Sequence, residues 1–303
     1  MRILVTGATG FVGSHLIGEL LGRGHEVSAI VRPESDTWRL AAVKDRVQFI
    51  VGSLDDIPDL RSSIADFRPE AIAHLAWWGV RNADRNSPIQ ARNIYSTMEL
   101  AGLAAELGVK VFVGAGSQAE YGQYNRAISE DDPARPTTLY GIAKVASEMM
   151  LAELCRQNGM RFTWLRLFST YGPKDHDHWL IPQLIRALKA GQRMPLTKAE
   201  QLWGFLHVRD AAEGIRTVIE TDGASGVFNL GSPDAPPLRE TILAIRNLID
   251  PAGELGFGDI PYRPDQVMVL KADVTRLQSL GWQPRIRLED GLREMVRWYN
   301  ARE

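Results

Sequence analysis

Tyr140 and Lys144 stand four residues apart in an amphipathic stretch, a spacing that projects both side chains from one face of a helix. A free phenol ionises at a pH of about 10 and is a poor acid or base near neutrality; an ammonium a few ångströms away favours the phenolate and lowers that value. Hydride transfer at a carbinol carbon needs such a group, because a proton must leave or reach the oxygen as the hydride moves. Upstream, Val113-Gly114-Ala115-Gly116-Ser117 runs a strand into a small-residue turn ending in a hydroxyl, which can hold the reacting oxygen against Tyr140. Standing alone, Ser117 also reads as a turn residue that satisfies its own backbone.

Near the start, the apolar run at residues 2–6 leads directly into Gly7-Ala8-Thr9-Gly10-Phe11-Val12-Gly13, which opens a helical stretch. Glycine is needed where the backbone turns tightly and where a pyrophosphate must approach the main chain without meeting a Cβ. Amides at the helix start then point at the anion, and the helix dipole adds to the attraction. About 20 residues past such a loop lies the residue that faces the adenine ribose. Here the second strand ends Ile30-Val31-Arg32, with no carboxylate before Glu34. A carboxylate at that tip binds a free 2'-hydroxyl and repels a 2'-phosphate, whereas Arg32 can pair with the phosphate, so NADP(H) is the expected cofactor. NAD(H) stays open, with Arg32 a solvated loop residue and Glu34 or Asp36 turned to the ribose.

The elements that must position these residues alternate along the first two thirds of the chain. Short, nearly continuous apolar runs at 2–6, 26–31, 47–51, 71–75, 109–114, 162–168 and 226–230 read as strands buried on both faces. Helical stretches read at 12–22, 92–107, 140–158, 178–190, 209–221, 238–248 and 288–300. The pattern is α/β: a Rossmann-type doubly wound parallel sheet with a smaller C-terminal substrate-binding lobe. Regular alternation stops after Phe168, so the dinucleotide-binding domain is placed at 1–170, with 205–232 returning to it, and the lobe at 171–204 and 233–303.

Composition narrows the classes. The chain has 303 residues and a formal net charge of -2, with Lys and Arg scattered rather than blocked, which gives no footprint for nucleic acid or a membrane surface. No apolar run is long enough to span a bilayer, and the chain enters its first strand too early for a signal peptide; a cytoplasmic protein is expected. The single cysteine, Cys155, rules out an internal disulfide and a cysteine-based zinc site, and reads as a buried helical residue. His176-Asp177-His178, in a charged loop, reads as a solvated lid rather than a metal site. Trp77-Trp78 can either line a sugar pocket or belong to the core.

Taken together, these residues resemble the extended short-chain dehydrogenase/reductase family of nucleotide-sugar epimerases, dehydratases and ketoreductases. The likeness runs through nearly the whole chain: the glycine loop, Ala73-His74-Leu75-Ala76, Asn93, the Ser117 turn with Tyr121-Gly122, and Tyr140-Gly141-x-x-Lys144. It continues through Leu165-Arg166-Leu167-Phe168 into Tyr171-Gly172-Pro173, then Phe205 to Asp210 and Phe228-Asn229-Leu230-Gly231. It ends with Tyr262-Arg263-Pro264-Asp265, Ala272-Asp273 and Leu280-Gly281-Trp282-x-Pro284.

The resemblance implies cofactor contacts at Gly7, Gly10, Phe11, Val12, Gly13, Arg32, Leu54, Leu75, Ala76, Tyr140, Lys144 and Phe168. It implies substrate contacts at Ser117, Gln118, Ser169 and Arg263, the arginine clamping the diphosphate of a nucleotide-linked sugar. It also implies a homodimer built on the helices at 92–107 and 140–158. Dehydratases of the family carry an acidic pair after the serine or threonine, and 3,5-epimerising members a cysteine; Gln118-Ala119 supplies neither. What remains is redox at one hydroxyl or ketone, a NADPH-dependent reductase of a nucleotide 4-keto-6-deoxy sugar or a 4-epimerase. Arg32, and Ser169 where many 4-epimerases carry asparagine, favour the reductase. A reductase of a non-nucleotide ketone would have no use for Arg263, and a non-catalytic dinucleotide sensor none for Tyr140 and Lys144.

Overall fold

Along the first strand, β1 (Arg2–Thr6), side chains alternate between two hydrophobic clusters: Ile3 and Val5 join one, Leu4 the other. A strand whose successive side chains point to opposite faces must therefore be covered on both. In the computed structural model, which describes residues 1–263 and 266–302, β1 lies inside a seven-stranded parallel sheet. Its neighbours are β2 (Glu26–Val31), β3 (Val47–Val51), β4 (Ala71–His74), β5 (Val111–Ser117), β6 (Arg161–Leu167) and the strand Gly226–Leu230. The order is Gly226–Leu230, β6, β5, β4, β1, β2, β3, so β1 pairs with both β2 and β4 and the winding reverses there. In open sheets of this kind the crevice at the carboxyl ends of the strands beside the reversal is where ligands bind.

The helices are α1 (Phe11–Gly22), α2 (Ile57–Phe67), α3 (Gln90–Glu106), α4 (Leu139–Gln157), α5 (Leu180–Lys189), α6 (Val208–Glu220), α7 (Leu238–Ile249), α8 (Thr275–Gln278) and α9 (Leu288–Asn300). On one face, α1 packs with α6: Leu16, Leu20, Ile215 and Ile219 share the cluster of Ile3 and Val5, and Arg216 Nε donates to Glu19 Oε1 at 2.7 Å. Trp282 completes this cluster from far along the chain; it is fully buried, and its indole N–H donates to the Asp210 carbonyl in α6 at 2.9 Å. On the other face α2, α3 and α4 bury Ile64, Leu100 and Leu151 with Leu4 and Trp164. A third cluster, with Leu184, Ile185, Ile242, Ile245 and Met295, gathers α5, α7 and α9. No helix among the described residues is long and apolar enough to cross a membrane.

Three expectations are corrected. The helix α2 was not read from the sequence. Pro58 mimics a loop signal there, yet proline is tolerated in a first helical turn, and Ile57, Leu60, Ile64 and Phe67 form the buried stripe. The strand expected at 109–114 is instead Val111–Ser117, so the sheet itself carries Ser117 to its edge. The run at 205–208 does not join the large sheet. Leu206–His207 pairs with Thr170–Tyr171 in a separate two-stranded ladder, because α6 starts at once, with the His207 side chain accepting the Arg209 N–H. Pro264 and Asp265 of the C-terminal signature lie outside the described residues.

Candidate active site

The glycine loop closes on the reversal of strand order. Gly7 has φ +71°, and a Cβ there would sit 2.7 Å from the nitrogen of Ala76, two residues past the end of β4. At Gly13 a Cβ would meet the Gly7 carbonyl oxygen at 2.1 Å, so α1 approaches the loop as closely as its backbone allows. The Gly10 N–H donates to that carbonyl at 3.0 Å. From there α1 begins with no side-chain cap and no acidic residue in its first turn, where Phe11 and Val12 stand. Uncapped amides at a helix start suit an anion, and this cradle fits the pyrophosphate of a dinucleotide. Across the crevice the Leu75 N–H donates to the Thr6 carbonyl and the Ala76 N–H to Thr6 Oγ1, both at 3.2 Å.

His74 anchors this junction. Its Nδ1 lies 2.8 Å from Thr6 Oγ1 and its Nε2 3.1 Å from Thr97 Oγ1, while Thr97 donates to the Asn93 carbonyl. These bonds are all satisfied when Nε2 carries the proton. Burial holds the imidazole neutral, its pKa down at about 3. Asn93 in turn accepts the Trp78 N–H at 2.8 Å and donates to the Trp78 carbonyl at 3.0 Å, fixing the turn after β4. Elsewhere, Arg32 pairs with Glu34 at 3.3 Å and both side chains are more than half exposed. Leu54 packs against the cluster of Leu4 and Trp164.

Thr138 caps α4 by accepting the Gly141 N–H at 3.1 Å, so the helix starts just before Tyr140. Tyr140, Lys144, Ser147, Leu151 and Cys155 then fall on its buried face. The Ser117 hydroxyl lies beside Tyr140 and works to lower its pKa, and the Ala119 N–H donates to Ser117 Oγ at 3.2 Å. Lys144 takes a different position from the one its spacing suggested. Its Nζ donates to the Ala115 carbonyl at 2.5 Å, lies 3.4 Å from the centre of the Trp77 ring and 5.8 Å from that of Tyr140.

This corrects the expected electrostatics. Burial raises the Tyr140 pKa and the Glu120 charge adds to it, while the neighbouring Ser117 hydroxyl and the Arg85 charge oppose it. Lys144 itself is pushed down to about 7 by burial, against the Glu120 carboxylate.

One cavity of about 420 Å³ brings Phe11, Ser117, Gln118, Phe168, Ser169 and Arg263 together, residues spread over most of the sequence. Ser169 is engaged there by Trp203, whose indole N–H donates to its Oγ at 2.8 Å. Tyr140 is not on this wall but borders it through Ser117 and Arg85. Arg85 escaped the sequence reading. Its carbonyl accepts the Tyr140 N–H at 2.8 Å and its guanidinium stands 5.1 Å from the Tyr140 ring centre. No motif marks it; only the docking of its loop on α4 makes it a neighbour of the phenol. Trp203 escaped as well.

The two tryptophans after β4 divide. Trp77 covers Lys144 and donates to Gln90 Oε1 at 2.9 Å, whereas Trp78 is exposed. His176 takes its place against Arg39, 3.3 Å from the guanidinium, and stacks near His178. Among the described residues no group of three or more His, Cys, Asp or Glu side chains gathers as a metal site. The Cys155 thiol is buried and pushed up to about 12, far from a nucleophile's range.

The profile of the NAD dependent epimerase/dehydratase family matches residues 3–231. Among curated proteins, a dTDP-glucose 4,6-dehydratase of Streptomyces griseus is 29% identical, the match covering 99% of this chain and 94% of that protein. A UDP-glucose 4-epimerase of Mycolicibacterium smegmatis is 30% identical, covering 99% and 98%. Among solved structures, the Thermotoga maritima UDP-glucose 4-epimerase with UDP-glucose superposes with a TM-score of 0.91 at 25% identity, covering 100% and 99%. MoeE5, in complex with UDP-glucuronic acid and NAD, superposes at 0.85 with 30% identity over 100% of both chains.

Proposed function

The chain belongs to the NAD dependent epimerase/dehydratase family, and from that premise we propose that it is an oxidoreductase acting at C4 of a nucleotide-linked hexose, reducing a 4-keto-6-deoxy sugar with NADPH. The observation that carries this reading is the Ser117–Tyr140 hydroxyl pair at the edge of a cavity that also holds Gln118 and Arg263. Gln118 and Ala119 offer no carboxylate or thiol to take a carbon-bound proton, which speaks against dehydration and against epimerisation beside a ketone. Burial favours the neutral phenol of Tyr140, the form that gives a proton to a carbonyl oxygen.

In this mechanism the Ser117 and Tyr140 hydroxyls hold the sugar's C4 oxygen, and Tyr140 passes its proton to it. Gly7, Gly10, Gly13 and the first turn of α1 would hold the dinucleotide, whose chemistry when bound would be hydride donation. Arg263 meets the diphosphate, for which a guanidinium offers fixed, paired donors. Arg32 supports the NADP(H) preference as an exposed cation at the end of β2, with Glu34 as the competing group for NAD(H). The expected bounds place 1–170 and 205–232 in the dinucleotide domain and 171–204 and 233–303 in the substrate lobe, but Leu270, Ala272, Val274, Leu277 and Trp282 pack back into the sheet's cluster and go with the former.

Incubation with NADPH and a panel of nucleotide-linked 4-keto-6-deoxy sugars is expected to consume the reduced nicotinamide, read as loss of its absorbance, with NADH slower. A second reading, 4-epimerisation, is favoured by the full-length similarity to the mycobacterial UDP-glucose 4-epimerase. That activity would interconvert 4-hydroxy sugars with no net absorbance change. Absence of turnover in both assays, together with no thermal shift from any nucleoside diphosphate, overturns both readings.

The assembly proposed is a homodimer. On α3 and α4, which pack side by side, Tyr95, Ile142, Met149 and Met150 are about half exposed or more, an apolar surface of the kind a partner copy covers. Sedimentation is expected to give twice the chain mass, and Met149→Glu to give the single-chain mass; a monomeric parent protein would sink the dimer.

A further inference from the structure

A carboxylate with no solvent exposure lies directly behind the serine. Glu120 Oε1 accepts the Ser117 N–H at 2.7 Å, and Oε2 accepts Arg166 Nε at 2.7 Å. The Trp164 indole N–H reaches both oxygens, at 3.1 and 3.2 Å. Arg166 spans onward to Glu148 Oε2 at 2.8 Å and stacks on Tyr121, 4.3 Å from its ring centre. The strand makes room for this group: a Cβ at residue 116 would stand 2.6 Å from Glu120 Oε1 and 2.2 Å from Trp164 Nε1. Ser117 and Glu120 thus form a reciprocal cap of the short turn Gln118–Glu120, with Ser117 Oγ accepting from Ala119. A buried ion pair is a poor source of net stability, because desolvating two charges offsets most of their attraction. Its hydrogen bonds do fix direction, and the group they fix is the last residue of β5.

We propose that Glu120 is the positioning residue of the active-site serine: it clamps the Ser117 main chain so that the Ser117 hydroxyl, already accepting from Ala119, turns its proton to Tyr140. This rests on the reading of Ser117 and Tyr140 as the reacting pair. Glu120 makes no hydrogen bond to the Tyr140 phenol; besides its charge and the Arg166–Glu148 link to α4, its route to Tyr140 is through Ser117.

A double-mutant cycle read on Tyr140 tests this without turnover. Protein labelled with [13Cζ]tyrosine is observed at neutral pH, the Tyr140 signal being assigned by its loss in Tyr140→Phe. Ser117→Ala is expected to shift the signal. Glu120→Val is expected to shift it in the same sense, and the double variant no further than Ser117→Ala alone. Glu120→Gln, which keeps an acceptor for the Ser117 N–H, is expected to restore most of the parent position. Because Glu120→Val leaves Arg166 with Glu148 alone, the cycle is repeated in an Arg166→Met background, where no buried guanidinium loses its partner. Additive shifts, or a Glu120→Val signal unmoved from its parent, overturn the proposal. Absence of turnover on nucleotide-linked sugars leaves this cycle intact and counts only against the catalytic reading.

Discussion

Tyr140→Phe is expected to lower kcat/KM by roughly 10²- to 10⁴-fold, the range for losing a positioned proton donor, with the dinucleotide Kd changed by no more than about twofold. Removing one oxygen leaves the ring, its contact with Trp77 and the helix face intact, so binding and folding have little reason to change. The pH profile adds a second signature. Burial keeps the phenol protonated through neutrality, so its ionisation does not limit the rate there. Lys144 is pushed down to about 7, so its ammonium is present below that pH and lost above it. If the ammonium supports the proton transfer, kcat/KM declines as pH rises through that value. A Tyr140→Phe enzyme of near-normal rate would remove the phenol from the mechanism altogether.

Gly7→Ala is expected to weaken dinucleotide binding sharply. A Cβ at this position meets both a left-handed backbone, φ +71°, and the Ala76 nitrogen at 2.7 Å, so the loop must leave the cradle conformation. Strain of this kind costs about 1–3 kcal/mol, which corresponds to roughly five- to 150-fold in Kd. Gly18→Ala serves as the control, because nothing lies within 4 Å of a Cβ there and alanine is the better helix former. Titration of both variants with NADPH and NADH, followed by protein fluorescence, separates them; equal affinities would place the pyrophosphate elsewhere.

The parts of this architecture that could be read in advance are those in which a residue's neighbours in sequence are also its neighbours in space. Continuous apolar runs declared strands covered on both sides, and the glycine loop declared itself by lying between a strand and a helix. Tyr140 and Lys144 share a helix face because they are four apart, but the environment of that face is set by Trp77, Glu120 and Arg85, which arrive from other elements. The expected effect of an ammonium on a phenol was therefore overridden by burial that no spacing announces. The helix Ile57–Phe67 was hidden by a proline that also belongs in a first helical turn. Residues 205–208 were expected to return to the sheet domain, and the early start of α6 leaves them a two-stranded ladder with Thr170–Tyr171 rather than a place in the large sheet.

The indole of Trp282 has a consequence for how the molecule is made. Every strand of the large sheet has been synthesised once Leu230 is added, and α6 can then pack on α1, yet its surface at Asp210 and Gly214 receives the indole only when residue 282 arrives. A chain growing on the ribosome therefore has all its sheet strands but lacks the Trp282 cover of α6 through the addition of some fifty further residues, counted from Leu230 to Trp282. During that interval the nascent protein is most open to aggregation and to capture by chaperones, and a premature stop in this span would release a product with its sheet formed and its core unsealed.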